Sequence, residues 1–259
     1  MSADMQGIDR SSPLSKQIEA QTQDVEWTLA NYAFVANVTA LANECDIAHS
    51  PGMSLASCHR LPFTSLAFVG DSVDLLANYA MFLTDPGSDV YLVVNQEQRP
   101  VVEAAFDVQE VIPQWQMVFR GDVETLAPGL AVPLDASDEA AARALAEAGG
   151  LTGLARDLLA GGPAFGVRKG RRLVALATTH VQLPGAAQIG HVVTHKDQRR
   201  QGYATAVIAA LVKTLATDGV CVFLQVHQDQ HHCIALYKKL GFEILRPMYW
   251  MRGVVKEQL

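Results

Sequence analysis

From residue 24 to residue 45 the chain contains no Gly or Pro and spaces its apolar residues at three and four, which predicts a helix. Strand-like runs follow at 54–60 and 65–69, then a helix over Val73–Leu83. Asp85-Pro86-Gly87-Ser88 signals a turn before a buried strand at 90–94. A helix at 96–106 and a strand at 115–119 complete an α/β unit in which no residue constellation demands chemistry. The polar, turn-rich stretch 120–129 marks a domain boundary. The expected organisation is a flexible tail over 1–23, an N-terminal α/β domain over 24–127 and a second domain over 128–259.

Beyond the boundary, a short strand at 130–134 precedes Asp135 and Asp138, either able to cap an Ala-rich helix over Glu139–Ala148 that Gly149-Gly150 stops. A second helix is predicted at 151–160. Three strands follow, at 164–168, 172–181 and 187–195, joined by turns at Lys169-Gly170 and Leu183-Pro184-Gly185, which make an antiparallel meander. The rest alternates helix, strand, helix, strand. No internal repeat is visible, although the two halves are comparable in length and a shared ancestral fold is left open. The fold class is α/β with a mixed sheet.

Residues 189–220 join an apolar strand, a polar loop and a long helix. Ala204, Val207, Ile208, Leu211, Val212 and Leu215 form one apolar stripe, and Gly219 stops the helix. Just ahead stands Arg199-Arg200-Gln201-Gly202-Tyr203-Ala204. Positive side chains, a residue without Cβ and the unpaired N–H groups of a helix start make an anion site suited to a pyrophosphate.

Composition narrows the function. With 259 residues, 49% apolar and 18% charged, the chain is an ordinary globular protein, and its net charge of −7 argues against a broad nucleic-acid footprint. No apolar run approaches the roughly 18 residues that span a bilayer, and the first residues lack the order of a secretory signal, so a cytoplasmic protein without membrane association is the default expectation. The cysteines Cys45, Cys58, Cys221 and Cys233 have no CxxC spacing and read as reduced, buried thiols. His227, His231, His232 and Cys233 cluster, but lack an evident fourth ligand, so no metal is expected.

The order of strand, Arg199–Ala204 loop and helix resembles the GNAT superfamily of N-acyltransferases, whose acetyl-CoA signature is Gln/Arg-x-x-Gly-x-Gly/Ala. The buried strand 220–226 and the run Leu236-Tyr237-Lys238-Lys239-Leu240-Gly241-Phe242 strengthen that likeness, since GNAT proteins commonly read Leu-Tyr-x-x-x-Gly-Phe there. The resemblance covers 130–252 and is sharpest over 189–242. It implies a GNAT fold in the C-terminal half, a smaller N-terminal domain that shapes the acceptor pocket, and acetyl-CoA as co-substrate. It further implies that the fourth and fifth strands splay, that the pantetheine arm pairs with the backbone of Val192, Val193 and Thr194, and that Arg199, Arg200, Gln201, Gly202, Tyr203, Ala204 and Thr205 hold the pyrophosphate. Gln230 stands where the family often places a pantetheine-binding Asn.

Tyr237 is then the general acid for the departing thiolate. The family's acidic base has no counterpart, because no Asp or Glu occurs between Arg171 and Lys196. His191 is the candidate base on the strand, with His180 or a carboxylate from the N-terminal half as alternatives. The expected activity is transfer of an acetyl or short acyl group to a primary amine, small or on a peptide or protein. A CoA-binding sensor or scaffold without turnover is the alternative, and a homodimer is among the oligomeric states left open.

Overall fold

The computed structural model describes residues 13–58, 63–151, 154, 157–216 and 219–256. Its helices are α1 (Pro13–Gln21), α2 (Val25–Ala30), α3 (Tyr32–Val38), α4 (Val73–Leu83), α5 (Arg99–Ala105), α6 (Glu139–Ala148), α7 (Tyr203–Ala216) and α8 (His231–Lys239). Its strands are β1 (Cys45–Ser50), β2 (Met53–Cys58), β3 (Thr64–Gly70), β4 (Val90–Asn95), β5 (Phe106–Phe119), β6 (Val132–Pro133), β7 (Ala164–Lys169), β8 (Arg172–Leu183), β9 (Ala186–Thr194), β10 (Cys221–His227) and β11 (Phe242–Val255). The chain forms two compact units, one of Met1–Trp115 with Arg246–Leu259, the other of Gln116–Leu245; β5 and β11 contribute residues to both.

In the first unit the expected long helix is divided at Asn31. Asp24 caps α2 by accepting the Glu26 N–H at 2.9 Å, and at the other end the Trp27 carbonyl accepts both the backbone N–H and the side-chain amide of Asn31, each at 3.0 Å. The end of the predicted helix is instead the start of β1, which turns at Pro51-Gly52 into β2. The expected flexible tail is also corrected. Residues 1–12 lie outside the described ones, but α1 is formed and buries Leu14 and Ile18 against Phe34, Val38, Ile47 and Ala56, because an i, i+4 apolar pair suffices to dock one helical face.

β3 and β4 run parallel but pair over three rungs only, Thr64↔Val90, Ser65↔Tyr91 and Leu66↔Leu92, although both strands continue. A side chain bridges the opening: Gln98 Nε2 donates to the Phe68 carbonyl at 2.7 Å, and Gln98 Oε1 accepts the Asn95 N–H at 3.1 Å.

The second unit repeats that plan. β6 to β9 are antiparallel neighbours, β9 pairs β10 in parallel, and α7 connects those two as α4 connects β3 and β4. Val207, Ile208, Leu211, Val212 and Leu215 of α7 are buried as their spacing predicts, with Ala204 half-buried. Each large aliphatic among them contributes roughly 1.5–3 kcal/mol by leaving water. Ala142, Leu145 and Ala146 of α6 pack on Leu176 and Val193.

The predicted helix at 151–160 falls partly outside the described residues, and 158–160 form a turn. The N–H groups of Leu158 and Leu159 donate to the Glu139 carboxylate at 2.9 and 3.0 Å, so a side chain satisfies them there instead of a helical carbonyl.

Candidate active site

The β9–β10 ladder consists of Cys221↔Ala186, Val222↔Ala187 and Phe223↔Gln188. Past that third rung, β9 continues to Thr194 and β10 to His227 without pairing to each other. On its other side β9 stays paired with β8, through Leu176↔Val193 and Ala175↔Thr194. One backbone edge of β9 from Ile189 to Thr194, which includes Val192, Val193 and Thr194, therefore faces the opening without a strand partner. Val193 turns its side chain to α6. Thr194 Oγ1 is buried and has no hydrogen-bond partner.

At the end of β9 the chain enters the basic loop. Arg199 Nε donates to the Thr194 carbonyl at 3.2 Å, tying the loop to the strand it follows. Arg200 and Gly202 take positive φ, 66° and 80°. A Cβ on Gly202 would meet nothing within 4 Å, so the glycine is required by conformation and leaves its surroundings open. The first bond of α7 runs from Ala206 N–H to the Gly202 carbonyl at 3.0 Å. The amides of Tyr203, Ala204 and Thr205 precede any carbonyl four residues back within the helix and remain available as donors. Tyr203 is buried, its hydroxyl donates to Gln201 Oε1 at 2.9 Å, and Lys169 Nζ lies 5.4 Å from its ring centre. Arg199, Arg200 and Gln201 are exposed, so this is a positively charged helix start whose donors point outward.

Tyr237 lies on α8, 8% exposed, with its ring edge-on to Phe242 at 5.9 Å. Burial pushes the phenol well above its ordinary value, and Cys233, one turn earlier, adds to the shift. Cys233 is itself raised by burial, while the Arg199 charge pulls it back. That opposition places the Arg199 charge within electrostatic reach of Cys233 on α8. Gln230 is the N-cap of α8, is exposed, and makes no capping bond with its side chain.

His191 occupies a bulge. The β8–β9 register shifts between Leu176↔Val193 and Thr178↔Gly190, and His191 takes φ 47°, an unusual conformation for a residue with a Cβ. Thr178 Oγ1 and His191 Nδ1 are hydrogen-bonded at 2.8 Å, and the His180 and His191 rings lie 5.2 Å apart. Among the described residues no group of three or more His, Cys, Asp or Glu is arranged to hold a metal ion.

Sequence reasoning missed Gln188 and Gln225. Gln188 Oε1 and Gln225 Nε2 are both buried without a hydrogen-bond partner. The signal for Gln225 was present as the one polar interruption of an apolar strand. Thr178, which holds His191, carries no sequence signal, because the bulge that brings them together is a property of the register.

Residues 164–251 match the family model described as FR47-like protein. None of the curated proteins matches the chain. Among solved structures, a GNAT-family protein from Novosphingobium aromaticivorans is 22% identical, with 88% of this chain and 99% of that one covered and a TM-score of 0.71. A GCN5-related N-acetyltransferase from Kribbella flavida is 16% identical, covers 86% of this chain and 95% of its own, and has a TM-score of 0.64. A tandem GNAT protein from the clavulanic acid biosynthesis pathway is 13% identical over the whole of both chains, with a TM-score of 0.61. The chain thus has the fold of these GNAT-family structures, and the stretch that matches the FR47-like model begins in its second unit and ends in β11.

Proposed function

We propose that the protein is an N-acetyltransferase that moves an acetyl or short acyl group from acyl-CoA to a primary amine in a ternary complex. The observation that carries this reading is the separation of β9 from β10 after the Phe223↔Gln188 rung, with the Gly202 loop at the end of β9. The unpaired edge of Val192, Val193 and Thr194 matches the amides of a pantetheine arm, which binds as an added strand would. Arg199, Arg200 and the amides from Gln201 to Thr205 suit a diphosphate, and Gln230 is free to reach the arm.

In the reaction the amine nitrogen attacks the thioester carbonyl carbon, the new C–N bond forms and the C–S bond breaks. The departing thiolate takes a proton from the Tyr237 hydroxyl, and the surplus proton on nitrogen passes to a base, for which His191 is the candidate. Products are the N-acyl amine and CoA thiol. Burial keeps the phenol protonated beyond its ordinary range and makes it a weaker acid, so its part is a hydrogen bond to the departing thiolate that passes the proton as the C–S bond breaks. Thiol release from acetyl-CoA across a panel of primary amines tests the proposal, and silence from every amine by a protein that binds CoA defeats it.

A second reading, a CoA-binding sensor, is favoured by the lack of any Asp or Glu between Arg171 and Lys196. Tight CoA binding without turnover, indifferent to Tyr237→Phe, supports it.

A further inference from the structure

Gln188 and Gln225 hold an unpartnered acceptor and an unpartnered donor at the point where β9 and β10 part. Gln188 is 7% exposed and its Oε1 has no partner; Gln225 Nε2 is likewise buried without one. Residues opposite each other in a ladder share a face, as do alternate residues along a strand. Phe223 is opposite Gln188, so Gln225 lies on the same face as Gln188, one step into the opening. Gly190, two residues after Gln188, lies on that face too. It is opposite Thr178, and a Cβ placed on it would come within 3.5 Å of the His180 Cβ. Thr178 in turn holds His191. The two carboxamides and the two imidazoles therefore border one patch, on the face that Leu176 turns to α6.

Buried polar groups in native proteins are satisfied by protein, water or ligand, so a neighbouring acceptor and donor left without protein partners point to a group that supplies both complements. The two carboxamides carry no charge. Past Arg172, β8, β9 and β10 contain no Asp, Glu, Lys or Arg, so nothing on these strands matches the extra ammonium of a polyamine or the carboxylate of a free amino acid.

Resting on the acyltransferase reading, we infer that the acceptor is a primary amine with a neutral amide one carbon away, as in an amino-acid amide or a peptide N-terminus. The amide oxygen accepts from Gln225 Nε2 and the amide N–H donates to Gln188 Oε1. Both bonds use the amide, which leaves the amine nitrogen free to attack.

The test is thiol release from acetyl-CoA with glycinamide, its apolar isostere isobutylamine, glycine and putrescine. Wild-type kcat/KM for glycinamide should exceed that for isobutylamine by about tenfold or more, since each hydrogen bond left unmade in a buried site costs on the order of tenfold. Gln188→Leu and Gln225→Leu should each bring that ratio toward one, with CoA binding by calorimetry reporting that the variant is folded. If a leucine variant fails to bind CoA, Gln225→Glu carries the test and should turn preference toward putrescine. A ratio near one in the wild type, a wild-type preference for putrescine or glycine, or an amide preference unmoved by the substitutions overturns the inference and leaves the acyltransferase reading standing. No thiol release with any amine removes both.

Discussion

The Gln98 carboxamide spans the two strands that diverge in the first unit, donating to the Phe68 carbonyl at 2.7 Å and accepting the Asn95 N–H at 3.1 Å. The second unit has a three-rung ladder of the same kind between β9 and β10. On the acyltransferase reading, the Gln98 carboxamide takes in the first unit the place that a pantetheine amide would take in the second. Charge points the same way: Asp71 and Asp74 flank the start of α4, where α7 has Arg199 and Arg200. Calorimetric titration should give one CoA per chain, and two would refute this account. Gln98→Ala should destabilise the protein by about 1–3 kcal/mol, because two buried backbone groups lose their partner.

That internal correspondence was not legible in the sequence, because a parallel ladder's length depends on register and leaves no compositional trace. The apolar positions of α7 were legible, since Val207, Ile208, Leu211, Val212 and Leu215 are all buried, although Ala206, Ala209 and Ala210 are buried too and the buried surface is wider than one stripe. The Gly202 turn was too, where positive φ selects glycine. The long strands β5 and β11 were not. Both carry a proline, Pro113 and Pro247, and many half-exposed positions, which weakens the alternation that identifies a strand. β1 was hidden because Cys45 and Asp46 continue the preceding helical spacing.

Tyr237→Phe keeps the ring against Phe242 and removes only the hydroxyl. If the phenol protonates the thiolate, kcat should fall about 100-fold or more with CoA affinity unchanged. The same hydroxyl governs alkaline stability. Its folded value is raised above the ordinary 10.0, so the folded state holds the proton more tightly than the unfolded state. Stability on this account is intact below about pH 10 and is lost as pH rises from there toward the folded value. Denaturant unfolding at a series of alkaline pH values should show a smaller loss for Tyr237→Phe than for wild type.

Arg199 and Cys233 make a pair that reports loop occupancy. The Arg199 charge lowers the Cys233 value against the effect of burial. Arg199→Ala should therefore raise it further, leave less thiolate at any given pH, and slow alkylation of Cys233, measured with the other cysteines substituted. CoA bound at the loop should slow alkylation of the wild type as well, by neutralising the guanidinium and by covering the thiol. Alkylation that speeds up in Arg199→Ala would place the charge away from Cys233. CoA affinity should fall in the same variant, with a shallower dependence on salt.

His191 combines an unfavourable backbone with a candidate chemical role, and two substitutions separate them. At φ 47° any residue with a Cβ is strained, so His191→Ala keeps the strain and loses the Thr178 bond, whereas His191→Gly loses the bond and relieves the strain. The glycine variant should be the more stable of the two by roughly 0.5–1 kcal/mol in denaturant unfolding. If the imidazole takes the proton from the acceptor, both variants should lose about 100-fold or more in kcat despite their different stabilities, and imidazole added to the buffer should restore part of the rate. Activity that instead follows stability, higher in glycine than in alanine and indifferent to added imidazole, would mean that His191 holds the bulge while another group takes the proton.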